Sequence, residues 1–153
     1  MGPLTAAVPD GSRILLDSVS IVYFLERNPR YYAAAAEWME RVNAGQLSAA
    51  ASVLLLSEVL VPAYRGGSPA AARQARAALE RIPNFELVEV TAGVSDVAAR
   101  LRAVHNLRTP DALHVATALD EGAGWIVTND HRLRRIEAEG IRVWLFDDHV
   151  HVN

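Results

Sequence analysis

The sequence predicts a single α/β/α domain built around a parallel sheet. Short apolar stretches such as residues 13–17 and 124–130 alternate with longer segments whose apolar residues recur at helical spacing. Strands that alternate with helices form parallel sheets covered on both faces. With 153 residues, 51% of them hydrophobic, the chain is long enough for one buried core. We therefore expect one three-layer domain, without an internal repeat or a linker.

The first predicted elements alternate as this fold requires. Residues 13–17 (RILLD) form an apolar run that ends in an acid, which is typical of a buried strand. Ser18 is a suitable N-cap for the helix that follows, and a second helix is predicted over 31–44. Residues 47–50 (LSAA) predict a short strand.

The next segment is strongly apolar. We expect a helix that begins at Ser52 and runs to about Tyr64, with Pro62 kinking it or ending it early. The Ser-Pro pair at 68–69 predicts the start of another helix, because proline is well tolerated in the first turn.

The second half of the chain continues the alternation. The predicted elements are a strand over 85–90, helices over 94–105 and 109–121, a strand over 124–130, a short helix over 131–140 and a last strand over 141–146. We therefore predict a flexible extension over 1–12, a folded domain over 13–147 and a C-terminal tail over 148–153.

Composition excludes several classes of function. The chain has no cysteine, which excludes disulfides, thiolate catalysis and cysteine-bound zinc. All 15 basic residues are arginine, so families that depend on a lysine, such as receiver domains, phosphoryl-aspartate phosphatases and Walker-loop proteins, do not fit. No apolar run reaches the roughly 18 residues of a membrane span, and the first residues do not resemble a signal peptide. We expect a cytoplasmic protein without a membrane partner.

Three acids are predicted to share one edge of the sheet. Asp17 and Asp130 each follow a strand, and Asp111 lies at the start of a helix that must run antiparallel to the strands. The carboxyl ends of parallel strands form the edge where ligands bind in such sheets. Each acid could equally serve as a helix cap or favour the helix dipole, so the local sequence alone leaves both interpretations open.

Glu58 is the fourth candidate, because apolar residues flank it on both sides within VLLLSEVLV. It either lies on a solvent-facing stripe with Ser57 or points inward, where a lone carboxylate needs a partner or a metal ion. Four acids without a lysine suggest a site neutralised by a hard divalent cation. His114, on the same predicted helix as Asp111, is better explained as a partly buried structural histidine than as part of this site.

Taken together, the motifs resemble the signature blocks of PIN-domain ribonucleases, and the VapC-type toxins of toxin–antitoxin pairs in particular. The blocks are LLDSVSIVYFLE, SEVLVPAYRGG, TPDALHVATAL and WIVTNDHRLRR. The resemblance covers residues 14–146 and implies a five-stranded parallel sheet of order 3-2-1-4-5. The extension before Ile14 departs from the family's usual start at the first strand.

The resemblance also implies site residues. It assigns the family's four acids to Asp17, Glu58, Asp111 and Asp130 as catalytic residues and as ligands of Mg²⁺ or Mn²⁺. The supporting positions are Ser18, after the first acid, and the polar pair Thr128 and Asn129, before the last one.

These residues lead to a functional hypothesis, namely metal-dependent hydrolysis of RNA phosphodiester bonds by the toxin of a toxin–antitoxin pair. The resemblance implies a cognate antitoxin, an RNA substrate and homodimerisation. Two alternatives stay open at this point. One is a structure-specific DNA nuclease with the same acids, and the other is a non-catalytic protein-binding module that has kept the scaffold.

Overall fold

Within residues 2–151, which are the part of the chain that this computed structural model describes, five parallel strands form one central sheet. The strands are β1 (Arg13–Leu16), β2 (Ser48–Ser52), β3 (Phe85–Val88), β4 (Trp125–Thr128) and β5 (Arg142–Leu145). Their order in the sheet is β3-β2-β1-β4-β5. The predicted parallel sheet and its order 3-2-1-4-5 are therefore confirmed.

Helices cover both faces of this sheet. In the described residues they are α1 (Ser18–Leu25), α2 (Tyr32–Asn43), α3 (Leu55–Val59), α4 (Val61–Arg65), α5 (Pro69–Glu80), α6 (Ala92–His105), α7 (Thr109–Asp120) and α8 (Phe146–His149), with a 3-10 helix over His131–Glu139. None of these helices is both long enough and apolar enough to cross a membrane.

β1 lies where the strand order reverses, because it pairs with β2 on one side and with β4 on the other. Ile14 is opposite Ala49 of β2 and Trp125 of β4. Successive side chains of a strand point to opposite faces of the sheet. Accordingly, Leu15 belongs to the core formed with α6 and α7, whereas Leu16 belongs to the core formed with α1 and α2. The predicted three layers follow from this alternation.

The start of α1 differs in detail from the predicted one. Asp17, and not Ser18, caps α1, because its Oδ1 accepts a hydrogen bond from the Ser18 backbone N–H. By contrast, α7 begins at Thr109 as predicted, with Arg108 in the cap position and Asp111 as the third residue of the helix. A carboxylate in this first turn still interacts favourably with the helix dipole.

The helix predicted from Ser52 to Tyr64 is wrong at its start and is divided in two. Ser52 is the last residue of β2, and α3 ends two residues before α4 begins, with Leu60 between them. Pro62 accounts for the division, because it has no backbone N–H for the helical ladder and its ring crowds the preceding turn.

The predicted flexible extension over 1–12 is packed on α2 along its described part. Val8 is buried in the core, and the Thr5 backbone N–H donates to Glu37 Oε1 at 2.7 Å. The guanidinium of Arg41 donates to the carbonyl oxygens of Thr5 and Val8 at 2.9 and 2.8 Å. This segment differs from the prediction because α2 supplies partners that are distant in the sequence.

The chain end also differs from the prediction. The predicted boundary between Asp147 and Asp148 lies inside α8, and His149 stacks on Trp144 with ring centroids 4.5 Å apart. Residues 152–153 of the predicted tail lie outside the described residues, as does Met1.

Candidate active site

A cavity of about 530 Å³ opens at the carboxyl ends of β1 and β4, where the strand order reverses. The four predicted acids all line it, together with two of the three predicted supporting residues and with His114. These residues are Asp17, Ser18, Glu58, Asp111, His114, Asn129 and Asp130. This is the edge at which parallel α/β sheets bind ligands.

Asp17 lies deepest among the acids, because it follows a strand at the centre of the sheet. Its side chain is 13% exposed. Oδ1 accepts the Ser18 N–H at 2.8 Å, and Oδ2 accepts the Thr128 hydroxyl at 2.7 Å. Burial raises the pKa of Asp17, although the nearby His114 and these two hydrogen bonds act in the opposite direction. Burial therefore disfavours the ionised form of Asp17.

Glu58 points into the cavity rather than along a solvent-facing stripe. It projects from α3, and its side chain is 36% exposed. Glu58 Oε1 lies 3.2 Å from His114 Nε2, and Oε2 accepts a hydrogen bond from the Ser18 hydroxyl. The hydrogen bond with His114 is the main cause of a lowered Glu58 pKa, with a smaller contribution from Ser18. Glu58 is therefore ionised at neutral pH.

His114 is the site residue that the sequence undervalued. It lies on α7, three residues after Asp111, and its side chain is 3% exposed. Burial alone lowers its pKa, but the hydrogen bond to Glu58 and the charge of Asp17, 3.7 Å away, outweigh burial and raise it. Within the described residues, the buried Nδ1 has no hydrogen-bond partner, so the polar contacts of this imidazole all lie on its Nε2 side.

Asp111 and Asp130 meet arginines at the mouth of the cavity. Asp130 Oδ1 and Oδ2 accept from Arg132 Nε and Nη2 at 3.0 and 2.7 Å. Asp111 Oδ2 accepts from Arg108 Nε at 3.2 Å, and Arg132 Nη2 lies 3.6 Å from the same oxygen. The hydrogen bond with Arg132 is the main cause of a lowered Asp130 pKa. Both acids are thus held by guanidinium groups.

The predicted polar pair supports the acids from the end of β4. The hydroxyl of Thr128 donates to Asp17 and accepts the Asp130 N–H at 3.1 Å, so it connects the first acid to the last one. Asn129 Nδ2 donates to Tyr23 Oη at 3.1 Å. These contacts fix the loop after β4 relative to α1.

The donor set fits a hard divalent cation, although it is not gathered around one point. Within residues 2–151, no three carboxylate or imidazole side chains converge closely enough to hold a metal ion as they stand. The reason is that Asp111 and Asp130 turn to arginine and Glu58 turns to His114. Carboxylate oxygens are nevertheless the ligands that Mg²⁺ and Mn²⁺ prefer. Burial raises the pKa of Asp17, and a bound cation would favour its ionised form.

Comparison with known proteins agrees with the topology of the domain. A protein-family model described as the PIN domain matches residues 14–139. A search of curated proteins finds no match to the sequence.

Several solved structures share the fold. The chain is similar to a toxin–antitoxin complex from Klebsiella pneumoniae, with 20% identity and a TM-score of 0.67 over 87% of this chain and 97% of that chain. It is similar to FitAcB from Neisseria gonorrhoeae, with 18% identity and a TM-score of 0.63 over 87% and 97% of the two chains. It is also similar to VapC20 from Mycobacterium tuberculosis, a toxin that cleaves the sarcin–ricin loop, with 19% identity and a TM-score of 0.57 over 74% and 86%. At these identities the likeness is one of fold.

Proposed function

The chain belongs to the PIN domain family, and from this premise we propose that it is a metal-dependent endoribonuclease that acts as the toxin of a toxin–antitoxin pair. The observation that carries the proposal is the convergence of Asp17, Glu58, Asp111 and Asp130 on one cavity at the reversal point of the sheet. Clustered carboxylates that have no lysine partner suit phosphodiester hydrolysis with a divalent cation better than phosphate capture.

The residues divide into ligands and a water-orienting group. Asp17, Asp111 and Asp130 would hold Mg²⁺ or Mn²⁺, while Glu58 would complete a second site or orient water. A divalent cation supplies Lewis-acid stabilisation of the charge on the phosphoryl oxygens and activates water. Glu58 suits its role because it is ionised, and because His114 and Ser18 fix its carboxylate at the cavity wall.

The polar residues next to the acids would keep them in place. Thr128 orients Asp17 through its hydroxyl group and at the same time holds the backbone of Asp130. Ser18 holds both Asp17, through its backbone N–H, and Glu58, through its hydroxyl group. Three of the acids, Asp17, Glu58 and Asp130, are therefore held by short contacts from β4 and α1.

The biological assignment rests on the similar structures. Those named above include a toxin–antitoxin complex and a toxin that cleaves the sarcin–ricin loop. By analogy we propose a cognate antitoxin as partner, single-stranded segments of RNA as substrate, a homodimer as the assembly and the cytoplasm as the location.

Cleavage assays with end-labelled nucleic acids test the proposed reaction. The purified protein is incubated with a randomised single-stranded RNA pool, with total bacterial RNA and with a matched DNA pool, in Mn²⁺, in Mg²⁺ and in chelator. We expect cleavage of RNA that requires the metal ion. Asp17→Asn should abolish it, whereas Asp96→Asn, an exposed acid on α6 that does not line the cavity, should retain it.

Each other outcome overturns a defined part of the proposal. Survival of cleavage in the Asp17→Asn protein would refute the site assignment. Cleavage of DNA in preference to RNA would identify a DNA nuclease. The absence of both Mn²⁺ binding and cleavage would identify a non-catalytic binding module.

A further inference from the structure

One cationic side chain bridges two of the site's carboxylates. The guanidinium of Arg132 makes a two-pronged contact with Asp130, through Nε at 3.0 Å and Nη2 at 2.7 Å. The same Nη2 lies 3.6 Å from Asp111 Oδ2. Arg132 thus places a positive charge between two acids that the proposed function assigns to a metal ion.

Arg132 can leave this position at low cost. Its side chain is 51% exposed, and it lies in the first turn of the 3-10 helix, next to Asp130, which lines the cavity. Exposed ion pairs contribute little to stability, because water solvates the separated charges well. The Arg132 backbone does not need to move, since its N–H is held separately by Asp130 Oδ1 at 3.0 Å.

The guanidinium of Arg132, once it has left Asp130, is suited to bind an RNA substrate. A guanidinium matches the two free oxygens of a phosphodiester with the same fork geometry that it uses on a carboxylate. Once Asp111 and Asp130 are occupied by a cation, that cation repels the guanidinium. The RNA backbone at the cavity mouth then offers Arg132 an anionic partner within reach of its long side chain.

We propose that Arg132 is an internal counter-ion that holds Asp111 and Asp130 in the metal-free protein and transfers to a backbone phosphate of the RNA when a divalent cation binds. The proposal rests on the proposed function, since it needs both the cation and the RNA. Arg132 then competes with the metal ion for the carboxylates and also binds the substrate. Removing its charge should therefore strengthen Mn²⁺ binding and weaken RNA binding.

Metal binding alone tests the first half. Mn²⁺ is titrated into the metal-free protein and followed by calorimetry or by the electron paramagnetic resonance of free Mn²⁺. Arg132→Gln should bind Mn²⁺ about two- to fivefold more tightly than the wild type, because the ion pair between Arg132 and Asp130 no longer has to be broken. Arg134→Gln is the matched control, since Arg134 lies on the same 3-10 helix, is 50% exposed and pairs with Asp148 instead. It should change Mn²⁺ affinity less than twofold.

RNA cleavage at saturating Mn²⁺ tests the second half. Arg132→Gln should lower kcat/KM by about tenfold or more, chiefly through a higher KM, because a charged hydrogen bond to phosphate is lost. The combination of tighter metal binding with poorer cleavage, absent from Arg134→Gln, supports the proposal. Mn²⁺ affinity that is unchanged or weaker in Arg132→Gln, or cleavage equal to that of Arg134→Gln, overturns it. A wild-type protein that neither binds Mn²⁺ nor cleaves RNA refutes the proposed function instead.

Discussion

His114 Nε2 lies 3.2 Å from Glu58 Oε1 and thereby joins α7 to α3 across the candidate site. The two residues are 56 positions apart in the chain. The contact places a buried imidazole, 3% exposed, among carboxylates. It therefore ties the stability of the domain to the protonation of a residue in the candidate site.

The first prediction concerns the pH dependence of this contact. The folded pKa of His114 is raised above 6.5, so its stabilising contribution is complete below about pH 6.5 and is lost as the pH rises through the folded pKa. We expect His114→Gln to lower the free energy of unfolding by about 1–3 kcal/mol at about pH 6 in the absence of metal. The difference from the wild type should shrink toward about pH 9, as measured by urea unfolding across this range.

Glu58→Gln provides the companion measurement for His114. Glu58 is the main partner that raises the pKa of His114. Its replacement should therefore make the free energy of unfolding depend less on pH over the range measured for His114→Gln. If the stability of His114→Gln falls with rising pH as steeply as that of the wild type, the pH dependence arises elsewhere.

The second prediction is that ionised Asp17 lowers the free energy of unfolding when no metal ion is bound. Burial raises its pKa above 3.8, so the stability linked to its protonated form is present below about pH 3.8 and lost as the pH rises through the folded pKa. Above its folded pKa the ionised carboxylate is destabilising. Asp17→Asn should therefore unfold at the same temperature as the wild type or at a higher one, with a gain of up to about 2 kcal/mol.

Thermal unfolding in chelator measures this effect, with Asp96→Asn as the control for loss of an exposed charge. An Asp17→Asn protein that unfolds well below the wild type would mean that Asp17 acts mainly as the cap of α1. The measurement also distinguishes a catalytic from a structural role of Asp17. An Asp17→Asn protein that is inactive but as stable as the wild type has lost a catalytic group and has kept its fold.

The sheet and its acids could be predicted from the sequence because they depend on local patterns. A strand such as Arg13–Leu16 is apolar on both faces, which indicates a central parallel strand, and Asp17 directly follows it. Topology then brings the other strand-end and helix-start acids to the same edge. The resemblance to a family added the strand order and a catalytic role for Glu58, which its apolar flanks had already made a candidate.

The partners of the acids could not be predicted in this way, because they depend on long-range placement. His114 belongs to an apolar helix face, and its sequence neighbours give no sign that α3 brings Glu58 to it. The arginines at Asp111 and Asp130 are close in sequence, but composition alone does not distinguish a site arginine from a solvated one. Val8 is likewise one apolar residue among turn residues, and only the position of α2 explains its burial.

The third prediction tests whether the N-terminal segment is part of the fold. Deleting residues 2–10 removes the buried Val8 and leaves Glu37 and Arg41 without the partners described above. We expect the free energy of unfolding to fall by about 2–4 kcal/mol. Urea unfolding of the deletion variant and of Val8→Ala measures the total and the share of Val8. An unchanged midpoint in the deletion variant would show that the segment behaves as the flexible extension that the sequence predicts.

The last prediction concerns metal binding as a source of stability. A cation that binds the folded state alone stabilises it by about 2.7 kcal/mol at one hundred times its dissociation constant. Mn²⁺ or Mg²⁺ should therefore raise the unfolding temperature of the wild type in a concentration-dependent way, and the buried charge of Asp17 should contribute most to this effect. In Asp17→Asn the rise should be much smaller, whereas Asp96→Asn should respond as the wild type does. Equal responses of Asp17→Asn and the wild type would mean that the stabilising ion binds elsewhere on the protein, because the effect would not depend on the carboxylate at the centre of the sheet.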